Sequence, residues 1–297
     1  MEIKKKRFVK LEKFLKKDIG LKIVLTVFFL FFLLQAIAQL FPFFWVLNNS
    51  LKGSEEYASN MSITKTWMFS NYLRVFDEFI SEGSYAATYF EMLWNSVWET
   101  GLYLFVNIMA STLVAYALAK FRFPGKGFFY GLMIFTQTIP LVGSGVAAFK
   151  LKYALGLINN PYLIWTSWMM GFDYSAFILY GSFLSISNAY SESAMIDGAN
   201  EFQILWKVVF PQVFPVLCAL LVTNFVGKWN DFSTSQINLD KYPNLAFGLF
   251  TYQKSSQYGA KGVYYAAITM TALPGVILYA AFQNLIINNM SVGGLKG

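Results

Sequence analysis

Six long apolar runs dominate this chain, at about 23–47, 93–119, 128–149, 161–186, 208–226 and 263–287. A hydrocarbon core about 30 Å thick needs about 20 apolar residues per crossing helix. No water is present there, so each backbone N–H and C=O must be satisfied within the segment, which a helix does. The runs therefore predict an all-α polytopic membrane protein with six transmembrane helices. Composition points the same way. The 297 residues are 56% hydrophobic and 13% charged, where a soluble domain carries about 25% charge. No separate soluble domain, repeat or low-complexity tract stands out.

The first run has a second reading. Ala36-Ile37-Ala38 is similar to a signal-peptide cleavage site after a basic and apolar start. The apolar character continues through Phe41–Val46, past that point, which favours a retained span.

The net charge of +7 could indicate nucleic acid, but its location indicates membrane lipid. Lys4, Lys5, Lys6, Arg7, Lys10, Lys13, Lys16, Lys17 and Lys22 crowd residues 1–22. Such a run before an apolar span reads as a cytoplasmic anchor beside anionic lipid. With the N-terminus inside, six spans also place Lys120, Arg122, Lys126, Lys207 and Lys296 inside. The expected protein is a multi-pass plasma-membrane protein with both termini cytoplasmic. The segment 1–22 is its basic N-terminus and 23–297 its transmembrane domain.

Histidine is absent and Cys218 is the single cysteine. That excludes Ser-His-Asp chemistry, HExxH zinc sites, an internal disulfide and a Cys-based metal cluster. Cys218 reads as a small core hydrophobe. No catalytic residue and no metal site are expected. Pro140, Pro211, Pro215 and Pro274 interrupt spans; they are tolerated where neighbouring helices or a cavity take up the freed carbonyls.

The polar loop 187–211 lies between the fourth and fifth runs. Ser191–Ile196 suits a short helix exposing Met195 and Ile196. Asp197-Gly198 then breaks it, since Gly reaches positive φ without strain. Asn200 suits a new N-cap, with Gln203 as its capping-box partner. On these residues alone, a helix–turn–helix that docks a partner and a solvated loop with none are both open.

Glu192, Ala194, Asp197, Gly198, Ala199 and Pro211 resemble the EAA loop of binding-protein-dependent ABC importer permeases, Glu-Ala-Ala-x-x-Asp-Gly-Ala followed by a Pro. Ser193 stands where the family usually has Ala, and Ser187 where its carbohydrate branch often has Pro. The likeness continues in Asn95-Ser96, in Ala115–Gly125, in Thr136–Pro140, in Trp229–Phe232, and in a Gly293–Gly297 tail similar to the MalG-like carbohydrate branch. It covers about 93 to the end.

The resemblance implies the type I ABC importer permease fold, with Glu192, Ala194, Met195, Ile196, Asp197, Gly198, Ala199 and Pro211 coupling to an ATPase. It implies a second homologous permease subunit, two ATPase subunits and an extracellular solute-binding protein as partners. ATP is then used by the partner ATPase, and no cofactor is expected on this chain, which lacks a GxxxxGK[ST] phosphate loop. The implied cargo is a carbohydrate, with an oligosaccharide favoured. A non-sugar solute such as a polyamine or phosphonate is the alternative, followed by a non-transport membrane scaffold.

Candidate pathway residues are Asp173, Gln137, Asn224, Trp168 and Tyr174. A carboxylate at membrane depth costs about 2.5–3.5 kcal/mol and usually faces a cavity or a partner. Asp173 is either an acceptor for sugar hydroxyls or a residue at the outer interface, should the fourth span start later. Gln137, Asn224, Gln283 and Asn284 either join helices or touch cargo. Trp165, Trp168 and Tyr174 either stack on a sugar or belong to an interfacial belt.

Overall fold

The computed structural model describes residues 19–58, 62–139, 143–254 and 261–290, without the side chains of 285–290. The basic stretch 1–18, Pro140 and the tail 293–297 lie outside the described residues. All regular elements among the described residues are helical.

Helix α1 (Ile19–Ser50) is apolar along its length and exposed except at its C-terminal end. There Asn49 Nδ2 and Ser50 Oγ donate to the carbonyls of Trp45 and Leu47, each at 2.7 Å, and the Leu47 carbonyl is one that the helix end orphans. A short helix, α2 (Ser70–Glu78), follows a 3₁₀ turn. Helix α3 (Tyr89–Lys120) starts at Thr88, whose backbone N–H donates to Glu91 Oε2 at 2.8 Å. After a turn containing Gly125 come α4 (Lys126–Thr138) and α5 (Gly145–Ala154). A 3₁₀ turn at Ile164–Trp168 leads to α6 (Tyr174–Ser185) and α7 (Asn188–Ile196). Helix α8 runs Glu201–Trp229 and contains a π-helical segment, Ile204–Val209. Two short helices, α9 (Ser233–Ile237) and α10 (Leu245–Lys254), precede α11 (Lys261–Met290).

Four of these helices, α1, α3, α8 and α11, are long and apolar enough to cross a membrane. Two of the expected runs each hold a break and are not one continuous helix. The run 128–149 is two helices, because Ile139 is extended (φ −91°, ψ 114°), as a residue before proline prefers, and Gly143 is left-handed. The run 161–186 is a 3₁₀ turn, an irregular link and the 12-residue α6, about 18 Å long. Gly171 breaks it at φ +63°, and Asp173 then caps α6. Hydropathy registers neither break, since both arise from backbone angles.

Helix α3 packs on α6 and α8; α8 packs on α11, and α11 on α1. Two apolar clusters fill the seams. One joins Val75, Met92, Phe225, Trp229, Tyr252 and Val263. The other joins Tyr116, Leu179, Phe183, Ile204, Val209 and Val213. A Cβ on Gly171 would lie 2.8 Å from Val114 Cγ2 and 3.1 Å from the Ala110 carbonyl oxygen of α3. Gly171→Ala therefore meets both a left-handed backbone and helix backbone that has little room to move. It is expected to cost about 2 kcal/mol or more, read as a lower melting temperature of the solubilised protein. An unchanged melting curve would contradict this packing.

Candidate functional site

Polar side chains gather at both ends of α8.

The first is a cavity of about 350 Å³ lined by Tyr103, Trp168, Asn224, Lys228, Asp231 and Thr234, with Thr223 beside them. Thr223, Asn224, Gly227, Lys228 and Asp231 fall on one stripe of α8 and its end, by the i, i+4 repeat of a helix. Lys228 is 7% exposed. Its Nζ lies 2.5 Å from Glu99 Oε1 of α3 and 3.1 Å from Asp231 Oδ2. It also donates to Thr234 Oγ1 at 3.1 Å and sits 5.0 Å from the Trp168 ring centroid and 5.7 Å from that of Tyr103. Such cation–π contacts suit a desolvated ammonium. Glu99 is 1% exposed, and its Oε2 accepts from Asn244 Nδ2 at 3.2 Å.

Asp231 follows α8 and accepts from the first N–H groups of α9. Its Oδ1 accepts from the backbone N–H of Ser233 and Thr234, at 3.0 and 3.2 Å. Burial pushes its carboxyl up, but the Lys228 ammonium and the Ser233 and Thr234 hydrogen bonds prevail and hold it at about 2. Helix α3 grips the neighbouring turn as well. Asn95 Nδ2 donates to the Pro243 carbonyl, and the Leu245 N–H donates to Ser96 Oγ, both at 2.9 Å.

The expected pathway residues separate. Trp168 and Asn224 line this cavity, where Asn224 also donates to Ser175 Oγ at 2.9 Å. Tyr174 lines an adjoining cleft of about 330 Å³ with Pro215, Ala219 and Thr223. Thr223 belongs to both. Asp173 lies in neither. It is the N-cap of α6, accepting from the Ala176 N–H at 3.0 Å. Its two oxygens also accept from Ser111 Oγ and Asn107 Nδ2 of α3, both at 2.8 Å. The later start of this helix is therefore observed, and the carboxylate ties α6 to α3. Gln137 Nε2 and Thr136 Oγ1 donate to the Phe172 carbonyl, at 3.4 and 2.7 Å, and so join α4 to the same link.

Sequence reasoning missed Glu99, Lys228, Asp231, Thr234 and Tyr103. A signal existed in Glu99, a carboxylate within the 93–119 run that required a buried cation.

The second place is the loop 187–203. Helix α7 begins at Ser187, whose side chain accepts from the Ala189 N–H at 3.3 Å. It ends at Asp197, with Gly198 at φ +84°. The Gly198 N–H donates to the Met195 carbonyl at 3.0 Å, and the Ala199 N–H to the Ala194 carbonyl at 2.9 Å. This is a Schellman closure, which needs the left-handed residue that Gly supplies. Asn200 and Gln203 exchange two bonds, at 2.9 and 3.0 Å, in the expected capping box. Met195 and Ile196 are 48% and 87% exposed, and Glu192 and Asp197 are exposed beside them. Ala194 and Ala199 face inward, against the cluster of Ile204 and Val209. Pro211 follows the π-helical segment and is exposed. Lys120, at the end of α3, donates to the Ile186 carbonyl at 2.6 Å and to Asn188 Oδ1 at 3.0 Å, anchoring the loop to the bundle.

Removing one partner of a buried ion pair leaves the other charge uncompensated. Lys228→Met is expected to lower stability by about 3–5 kcal/mol. Combining it with Glu99→Leu should recover most of that loss. Thermal melts of the two solubilised variants check this; an equally unstable double variant would contradict the pairing.

Three comparisons bear on what such an assembly is. Residues 107–292 match the family model "Binding-protein-dependent transport system inner membrane component". The diacetylchitobiose uptake system permease protein NgcG of Streptomyces coelicolor is 30% identical, over 89% of this chain and 86% of its own length. The maltose/maltodextrin transport system permease protein MalG of Escherichia coli is 29% identical, over 69% and 72% respectively. Among solved structures, a bacterial ABC transporter involved in the import of the acidic polysaccharide alginate superposes with a TM-score of 0.72, at 23% identity, over 90% of this chain and 98% of that one. That likeness establishes the fold. With the family model spanning more than half of its length, this chain belongs to the binding-protein-dependent transport system inner membrane components, the membrane-spanning permeases of ABC importers.

Proposed function

We propose that this permease forms half of the translocation pathway of an ATP-driven carbohydrate importer, with an oligosaccharide as cargo. The observation that carries the reading is that relatives matching most of the chain are permeases for saccharides. They include the diacetylchitobiose permease, galactooligosaccharide and arabinooligosaccharide permeases of Bacillus subtilis, and MalG. The cavity fits such a cargo, because it combines aromatic rings with neutral hydrogen-bonding groups. Trp168, Asn224 and Tyr174 stand on the pathway in this reading, with Tyr103 and Thr223. Asp173 and Gln137 serve it indirectly by holding the α3–α6 seam.

The complex would contain a second homologous permease, two ATPase subunits that use the ATP, and an extracellular solute-binding protein. Six crossings arise if α4–α5 and the broken segment leading into α6 each traverse the membrane alongside the four long helices. With the basic N-terminus inside, the loop at α7 faces the cytoplasm. Glu192, Ala194, Met195, Ile196, Asp197, Gly198, Ala199 and Pro211 then form the face and frame that dock on an ATPase. The exposed Met195 and Ile196 supply apolar contact, and the Gly198 closure supports its shape.

The test is ATP-dependent uptake of labelled oligosaccharides by the assembled complex in proteoliposomes, with and without the solute-binding protein. Uptake that requires both ATP and the binding protein is expected. Gly198→Val, forced into a left-handed backbone, is expected to uncouple. ATPase activity should then proceed, or the ATPase dissociate, while uptake falls at least tenfold, about 1.4 kcal/mol of coupling. Normal coupled uptake in this variant would sink the docking role.

A further inference from the structure

Lys228 is the one cation among the described residues lining the polar cavity. An ammonium offers three N–H donors. Lys228 Nζ donates to Asp231 Oδ2 and Thr234 Oγ1, both at 3.1 Å, and lies 2.5 Å from Glu99 Oε1 as a charge pair. The rings of Trp168 and Tyr103 flank the same ammonium. An entering carboxylate therefore meets an ammonium that is already paired with two carboxylates and hydrogen-bonded to the Thr234 hydroxyl, and must compete with them for it. Displacing Glu99 would strand a side chain that is 1% exposed, which is costly.

The balance of charge points the same way. Among the lining residues the charged groups are Lys228 and Asp231, which pair with each other and leave the lining without net charge. Lys152 at the end of α5 couples to Lys228 and Asp231, but it does not line the cavity. What remains for a ligand is neutral: the Tyr103 phenol, the Thr223 hydroxyl and the Asn224 amide. Such groups suit sugar hydroxyls, and none compensates an anion.

Resting on the carbohydrate reading above, we propose that this cavity selects an uncharged sugar unit and rejects uronate-bearing ones. The fold does not imply this, since the alginate transporter of the same fold is involved in the import of an acidic polysaccharide.

The experiment uses the complete importer in proteoliposomes. Its probes are neutral trisaccharides (maltotriose, cellotriose, galactotriose, arabinotriose, chitotriose) and the C6-carboxylate forms of the four hexose-based ones. Uptake is measured with each alone and with the carboxylate form as competitor. Binding to the solubilised permease–ATPase complex, without solute-binding protein, is followed by tryptophan fluorescence. At least one neutral trisaccharide is expected to be taken up, with its carboxylate form reduced about tenfold or more, the scale of one charge acting across a partly hydrated cavity. The same discrimination should persist without the binding protein. Asp231→Asn removes the one carboxylate among the lining residues and should narrow the gap about tenfold.

Equal uptake of neutral and carboxylate forms, effective competition by the carboxylate forms, or discrimination that vanishes without the binding protein would each overturn the proposal. Should no trisaccharide of either kind be carried, it is the carbohydrate reading that fails. If Asp231→Asn does not assemble, the wild-type competition and fluorescence measurements decide alone.

Discussion

An ammonium and a carboxylate enclosed together set the register of one end of this protein. Burying either alone costs several kcal/mol, and their attraction repays that only when both are in place with their remaining hydrogen bonds met. Glu99 belongs to α3 and Lys228 to α8, and Asn244, just before α10, closes the arrangement through Glu99 Oε2 and the Asp231 carbonyl. A slide of α3 against α8 by one residue would strand both charges. The apolar contacts of Phe225, Trp229 and Met92 around it would tolerate such a slide far better. In a bundle whose helices could pack in lipid at many offsets, the ion pair contributes specificity more than stability.

The same reasoning applies at the α3–α6 seam. An irregular link at membrane depth exposes backbone groups that lipid cannot satisfy, so it is tolerated where protein or a cavity meets it. The chain between Trp168 and Tyr174 is irregular, and its polar groups are met by protein. Asp173 takes the Ala176 N–H at the start of α6, and Asn107 and Ser111 of α3 hold the carboxylate in turn. The Phe172 carbonyl is met by Thr136 and Gln137. Asp173, Thr136 and Gln137 thus sit where the helices break. The 3₁₀ turn before the link carries Trp168 to the cavity wall. A straight fourth helix through 161–186 would have lacked the link that Asp173, Thr136 and Gln137 brace.

These two seams explain what was legible in the sequence. The runs at 23–47, 93–119, 208–226 and 263–287 each lie inside one helix, because periodicity and length are local properties. The turn at 187–203 was legible residue by residue for the same reason. Asp197-Gly198 and Asn200–Gln203 are closures whose partners sit three to five positions away. What escaped was non-local. Asp173 was weighed between cargo and interface, while its partners Asn107 and Ser111 lie in another run. Glu99 and Lys228 sit in different helices, and neither side chain alone predicts the other. The breaks at Gly143 and Gly171 escaped because hydropathy carries no information about φ.

Helix α8 connects the two polar places. It starts at the Asn200 capping box and ends at Lys228 and Trp229, 29 residues in all and about 43 Å long. A helix transmits displacement along its axis with little loss where its hydrogen-bond ladder is intact. In α8 the irregular stretch is the π segment Ile204–Val209, just inside the loop end and just before Pro211. A widened turn there relieves the clash between the proline ring and the preceding carbonyls. It also places the compliant part of the helix beside α7, while Phe210–Trp229 stays α-helical with one ladder bond missing at Pro215. Motion of the loop would therefore reach the cavity as a shift or rotation of the whole 210–229 stripe. Thr223, Asn224, Gly227 and Lys228 would move as a unit relative to Tyr103 and Glu99 on α3. The buried ion pair resists sliding of that stripe, but it is compatible with a rotation about Lys228, whose flexible stem can follow Glu99. That asymmetry favours opening and closing the cavity by tilting α8 over translating it.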